Sequence, residues 1–131
     1  MNKISVFART TVIALLVLPL LLGVSVSASA ADKVIRIVVL TATSADAQQK
    51  GLDAVGDTVQ KAYKAAKGME SVTFFADPVT LATGSSSVWA SREDLDAFLS
   101  SPTYKSILEK LKPFMKGAPD QKIYKVSELK K

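Results

Sequence analysis

The sequence has no cysteine and no histidine. The first absence excludes disulfides, thiolate nucleophiles and thiolate metal sites. The second excludes an imidazole base, a histidine-ligated haem or zinc, and a Ser–His–Asp triad. Arginines are few, Trp89 is the single tryptophan, and beyond residue 30 there is no asparagine. Lysines are scattered and no basic run is interleaved with aromatics, so nucleic acid is not an expected partner.

What is present begins with a delivery label. Lys3 and Arg9 give a positive start, "TVIALLVLPLLLGV" an apolar run broken by Pro19, and "SVSASA" the small residues a peptidase needs. That order predicts a secretory signal over residues 1–30, cleaved after Ala30 or, as second choice, after Ala31. The run falls short of the roughly 20 residues that span a bilayer, so no stable membrane span is expected after cleavage; the alternative is a retained leader acting as a tether. No cysteine follows the run to carry a lipid. The expected location is the periplasm or the exterior. Residues 31–131 then form one small domain. Losing Lys3 and Arg9 takes the 17 basic residues to 15 against 12 acidic ones, a mature net charge of +3.

"VIRIVVLTAT" is rich in β-branched residues and predicts a strand covered on both faces. Ser44 can cap a helix whose stripe is Leu52, Val55, Val59, Ala62, Tyr63 and Ala66, with Gly68 as its stop. "ESVTFFADPV" predicts a second strand interrupted by Asp77-Pro78, where Pro78 marks an edge, a bulge or a strand end. "TLATGSSS" is polar, contains Gly84 and predicts a connection; it lacks the lysine of a phosphate-binding loop. "SVWAS" predicts a short third strand. Ser91 and then Ser101-Pro102 start a helix and its continuation, closed by Pro113 and Gly117, and "QKIYKVSEL" predicts the last strand. The order β-α-β-β-α-β defines an α+β, ferredoxin-like fold: a four-stranded antiparallel sheet with two helices on one face. A first strand apolar on both sides needs a partner on the far face, and a second copy of the chain, sheet against sheet, would supply it.

"VWASREDLDAFLSSPTYKSILEKLKPFM" resembles the third strand and second helix of the antibiotic biosynthesis monooxygenase-like (ABM) family, through Trp89, Ser91, Glu93, Phe98 and Tyr104. The resemblance implies a homodimer of the dimeric α+β barrel type, each protomer with a pocket between sheet and helices. It also implies cofactor-free oxygenation of phenols or hydroquinones, or haem degradation. The haem-degrading branch places a second tryptophan nine residues after the strand tryptophan and a haem-ligating histidine ten further on. Phe98 and Leu108 stand there, and neither side chain can substitute. Its first-strand asparagine falls near Thr41 or Thr43. No haem, metal or other cofactor is therefore expected.

Cofactor-free oxygenation needs a base and a dry pocket. Asp77 is a candidate base, against its role as a turn residue before Pro78. Tyr63 and Tyr104 are candidates to orient a substrate oxygen, against amphipathic core positions. Phe74, Trp89, Phe98 and Thr41 are the candidate ligand contacts, Trp89 serving equally as core beneath Phe98. Two functions follow: an exported domain that binds or oxidises a small aromatic or quinone-like molecule, or a non-catalytic dimeric module that binds a ligand or scaffolds.

Overall fold

The computed structural model describes residues 32–128, so the predicted signal peptide lies outside the described residues. β1 (Val34–Thr41) leads to α1 (Ala45–Ala65), then β2 (Met69–Asp77) and β3 (Ala82–Trp89). Two short helices follow, α2 (Arg92–Leu99) and α3 (Pro102–Leu111), then a 3-10 turn and β4 (Asp120–Lys125). The sheet order is β2-β3-β1-β4, with every neighbouring pair antiparallel. This is the ferredoxin-like arrangement, with the second helix divided in two.

Local chemistry sets the helix boundaries. Ser44, Ser91 and Ser101 each accept from a first-turn amide, at 3.0, 3.1 and 3.2 Å. Each bond satisfies an amide that the helix itself leaves without a partner. Pro102 opens α3 at the position where its missing N–H costs nothing. α2 and α3 are separate because Ser101 must leave helical geometry to cap α3. Past α1, Gly68 takes φ +81°, and a β-carbon there would lie 2.1 Å from the Asp94 carboxylate. Only glycine tolerates both conditions.

The predicted connection "TLATGSSS" is, in fact, mostly strand: β3 begins at Ala82, and Ser85, Ser86 and Ser87 pair with Val38, Ile37 and Arg36. It escapes the usual strand pattern because its inward positions, Thr83, Ser85 and Ser87, are small and polar. They face polar groups inside the protein, and bulky side chains would fill the space those groups occupy. Gly84 permits close approach, since a β-carbon there would meet the Val38 carbonyl oxygen at 1.9 Å and the Phe75 ring at 2.8 Å. The β2–β3 turn is held by the Asp77 side chain, which accepts from the Val79 amide and the Thr80 hydroxyl. Leu81 sits at φ +65°, a strained position for a branched side chain. Its carbonyl accepts from Ala42 at 2.9 Å, which ties the turn to the end of β1.

The helices cover one sheet face and enclose two apolar clusters. Val34, Tyr63, Trp89, Leu95 and Phe98 form one; Ala42, Val55, Ile107, Leu111 and Met115 form the other. On the opposite face, β1 presents Ile35, Ile37 and Val39, all half-buried, beside Val88. Phe75 and Tyr124 flank them, and both are exposed. Among the described residues no helix is long and apolar enough to cross a membrane.

Candidate functional site

Between the clusters, on the helix side of the sheet, lies an open-mouthed cavity of about 170 Å³. That is below the roughly 300–1,000 Å³ usual for drug-sized ligands, so the cavity suits a small molecule. Its walls are Leu52, Val55 and Val59 of α1, Ile107, Leu108 and Leu111 of α3, Val38 and Leu40 of β1, and Phe74 of β2. Gly56 leaves room at the α1 wall, since a β-carbon there would touch nothing within 4 Å. The lining includes no carboxylate and no other charged side chain. Among the described residues no group of acids could hold a metal ion.

One part of the wall is polar. Tyr63, Tyr104 and Ser85 line it, with Gln60 and Thr83 as the other polar residues, and the two tyrosine hydroxyls meet Arg36, which is 0% exposed. The guanidinium donates from Nη1 to the Tyr63 hydroxyl at 2.8 Å and from Nη2 to the Tyr104 hydroxyl at 2.5 Å. Its Nε donates to Gln121 Oε1 of β4 at 2.6 Å. Tyr63 and Ser85 share a further hydrogen bond of 3.2 Å. Among the described residues Arg36 has no carboxylate partner: the ion pairs are Lys33–Glu70, Lys50–Asp46, Lys67–Asp94, Arg92–Asp96, Lys112–Glu109 and Lys122–Asp120. A buried cation usually has a counter-charge, because desolvation otherwise costs several kcal/mol per ion. Here neutral oxygens stand in its place.

Burial raises the pKa of Tyr104 above the ordinary phenol value, and the Arg36 charge opposes the rise without overcoming it. Tyr104 is therefore a neutral donor at physiological pH. Both tyrosine oxygens accept from Arg36, so their own protons point away from it. Among the described residues no acceptor engages the Tyr104 proton, while the Tyr63 proton has only Ser85.

The sequence-derived candidates divide. Tyr63, Tyr104 and Phe74 line the cavity. Trp89 and Phe98 do not: they lie in the core behind the tyrosines. Trp89 is fully buried, and its indole N–H donates to Ser87 at 2.9 Å. Its ring packs 5.1 Å from Phe98, which packs 4.7 Å from Tyr63 and 5.2 Å from Tyr104. The tryptophan thus supports the residues that line the site. Strand alternation explains this placement, since Val34 and Trp89 pair at the far end of the same inward face that carries Val38 and Ser85 nearer the cavity. Thr41 is exposed at the end of β1, outside the cavity wall. Asp77 is likewise exposed and outside the wall. Hydrogen bonds from Val79 and Thr80 hold its carboxyl below the ordinary value, which weakens it as a base.

Arg36, Ser85 and Gln121 were not legible as site residues. The one available signal was the lone charge inside "VIRIVV", on the same strand face as Val34 and Val38. An arginine there must either leave the sheet or be buried with partners, and it does the second.

The fold is that of an ABM-like domain, a ferredoxin-like α+β sheet with a cavity beneath its helices. Among solved structures it is similar to SnoaB, a cofactor-independent oxygenase from Streptomyces nogalater, at 12% identity and TM-score 0.60, covering 76% of this chain and 97% of that one. It is similar also to a monooxygenase from the ActVA-Orf6 gene of Streptomyces coelicolor, solved with nanaomycin D: 17% identity, TM-score 0.64, 77% and 93% covered. Rv0793 from Mycobacterium tuberculosis matches at 15% identity and TM-score 0.61, with 76% and 97% covered. At these identities the likeness is one of fold. No family model and no curated protein matches the sequence.

Proposed function

We propose that this protein is an exported ABM-like domain that binds a small aromatic or quinone-like molecule in the cavity between its sheet and helices. One observation carries the reading: apolar walls converge on the paired hydroxyls of Tyr63 and Tyr104. A planar ring would bury its faces against the leucines, valines and Phe74, and one oxygen substituent would meet the tyrosines. The ActVA-Orf6 monooxygenase, of the same fold, was solved with the ligand nanaomycin D. Oxygenation without a cofactor is the corresponding activity, with the tyrosines orienting an electron-rich ring and the dry walls leaving room for dioxygen. Oxygen uptake with a panel of naphthols and hydroquinones tests it, together with quenching of Trp89, whose ring lies 6.2 Å from that of Tyr63. Neither uptake nor quenching with any member would remove the reading.

A non-catalytic binding module is the second reading. It is favoured by the absence of a carboxylate from the cavity lining, which leaves no side chain suited to take a proton at neutral pH. Turnover that disappears in Tyr104→Phe would decide against it.

The active form in either case is a homodimer in which the second copy covers Ile35, Ile37, Val39 and Val88. Apolar residues with exposed aromatics on both flanks make this face a surface to be buried. Native mass spectrometry at micromolar concentration should give twice the mature mass, and Ile37→Asp should give monomer. Export with cleavage near Ala30 is checked by N-terminal sequencing of protein recovered outside the cytoplasm.

A further inference from the structure

The Arg36 cluster carries more than a general preference for aromatics. Hydrogen-bond accounting decides what kind of oxygen can sit against it. The guanidinium already donates to both tyrosine oxygens, so what the cluster offers the cavity is the Tyr104 proton, and that of Tyr63 when Ser85 turns to donate, both polarised by a buried cation. A neutral phenol entering there can accept from a tyrosine hydroxyl, but it brings a further proton to place and no charge to set against Arg36. An oxyanion has no proton to place. It accepts from both hydroxyls and supplies the counter-charge that Arg36 lacks among the described residues. Hydrogen bonds to a charged group are roughly twice as strong as neutral ones.

The groups packed around Arg36 leave little else to titrate. Tyr63 comes from α1, Tyr104 from α3, Ser85 and Ser87 from β3 and Gln121 from β4. None is an acid that ionises near neutral pH, and the cavity lining has no base to ionise a bound phenol. A ligand held there as an oxyanion must therefore arrive already ionised.

We infer that the site selects ligands already ionised in solution. These are small aromatic rings bearing an acidic hydroxyl, of the hydroxyquinone type, whose oxyanion accepts from Tyr63 and Tyr104 with Arg36 behind them as the charge that sets specificity. This rests on the cavity being an aromatic site. It goes further by naming the ligand's charge state and by making Arg36, which acts through the tyrosines, a specificity-determining residue.

Isothermal titration of the mature protein with two matched probes tests this. 2-Hydroxy-1,4-naphthoquinone is ionised at neutral pH, whereas 2-methoxy-1,4-naphthoquinone has the same rings and no proton to lose. The hydroxy compound should bind at least about tenfold more tightly at pH 7, the effect of one charge-assisted hydrogen bond. The advantage should vanish as pH falls through the probe's own pKa, a profile that a purely structural arginine would not produce. Tyr104→Phe, which leaves Arg36 in place, should cut the preference by about tenfold. Arg36→Met should abolish it, and Arg36→Lys should restore part of it; if the Arg36 variants fail to fold, Tyr104→Phe and the pH profile still decide. Equal affinity for the two probes would overturn the inference while leaving the aromatic site intact. Binding of neither probe, nor of any naphthol, would overturn both.

Discussion

The Arg36 guanidinium donates to the Tyr63 hydroxyl at 2.8 Å across 27 residues of sequence, out of contact with water. This bond joins an inner strand of the helix-covered sheet to the helix above it, at the polar part of an apolar cavity. A charge kept there without a carboxylate is costly, and that cost makes the first prediction.

Replacing Arg36 by methionine should leave the ligand-free protein no less stable than wild type. The variant removes a desolvated cation and fills much of its volume, and relief of a desolvation cost of several kcal/mol offsets the loss of three hydrogen bonds of about 1 kcal/mol each to neutral oxygens. Chemical denaturation of both proteins measures it. A loss of more than about 2 kcal/mol would mean that the three hydrogen bonds of Arg36 outweigh its desolvation, against this account.

Tyr104 should give the stability curve an alkaline shoulder. Its folded pKa lies above the ordinary 10.0 because burial disfavours the phenolate. Above about pH 10 the unfolded chain loses this proton while the folded chain keeps it, so stability falls as pH rises toward the folded value. Below that range the residue adds no pH dependence. The melting temperature of Tyr104→Phe should therefore fall less between pH 9 and pH 11 than that of wild type, and identical slopes would contradict the assignment.

Gly56 and Gly84 should respond in opposite directions to one added methyl group. At Gly56 a β-carbon meets empty space in the interior of α1, so Gly56→Ala should stabilise by up to about 1 kcal/mol through helix propensity alone. At Gly84 the same atom would strike the Val38 carbonyl, so Gly84→Ala should destabilise by about 2–3 kcal/mol and loosen the β1–β3 pairing. Thermal melts of the two variants, side by side, report both signs.

Gly56 also sets the width of the cavity. Gly56→Met should project its side chain into the space lined by Leu52, Val59 and Leu108, weakening the binding of a two-ring aromatic by tenfold or more while the fold survives. Unchanged affinity would place the ligand elsewhere. Titration of the same naphthoquinone probe against both proteins measures the difference.

Much of the fold was legible without coordinates. Serine caps at 44, 91 and 101, glycine at 68 and proline at 78 punctuate the chain by local backbone chemistry, and the apolar stripe through Val55, Val59 and Tyr63 sets which side of α1 faces inward. β3 resisted the same reading. Its inner positions are serine and threonine because they serve a polar site, and a periodicity rule built on apolar burial takes them for a loop. The site was half legible for a similar reason. Tyr63, Tyr104 and Phe74 are aromatic and lie on its wall, whereas Trp89, although aromatic, alternates on the same strand face to a point beyond the cavity.

Composition alone removed cysteine and histidine chemistry from this protein, because no fold can bring together residues a chain does not possess. Local pattern set the order of strands and helices, because caps, turns and periodicity act over a few residues. Only the tertiary structure joined Arg36 to Tyr63, Tyr104 and Gln121, which lie 27, 68 and 85 residues away in sequence. A charged residue within an apolar strand looks the same in sequence whether water or three side-chain oxygens of the protein receive it. The packing of helices on the sheet makes that choice, and with it creates a cavity whose polar wall is backed by a cation.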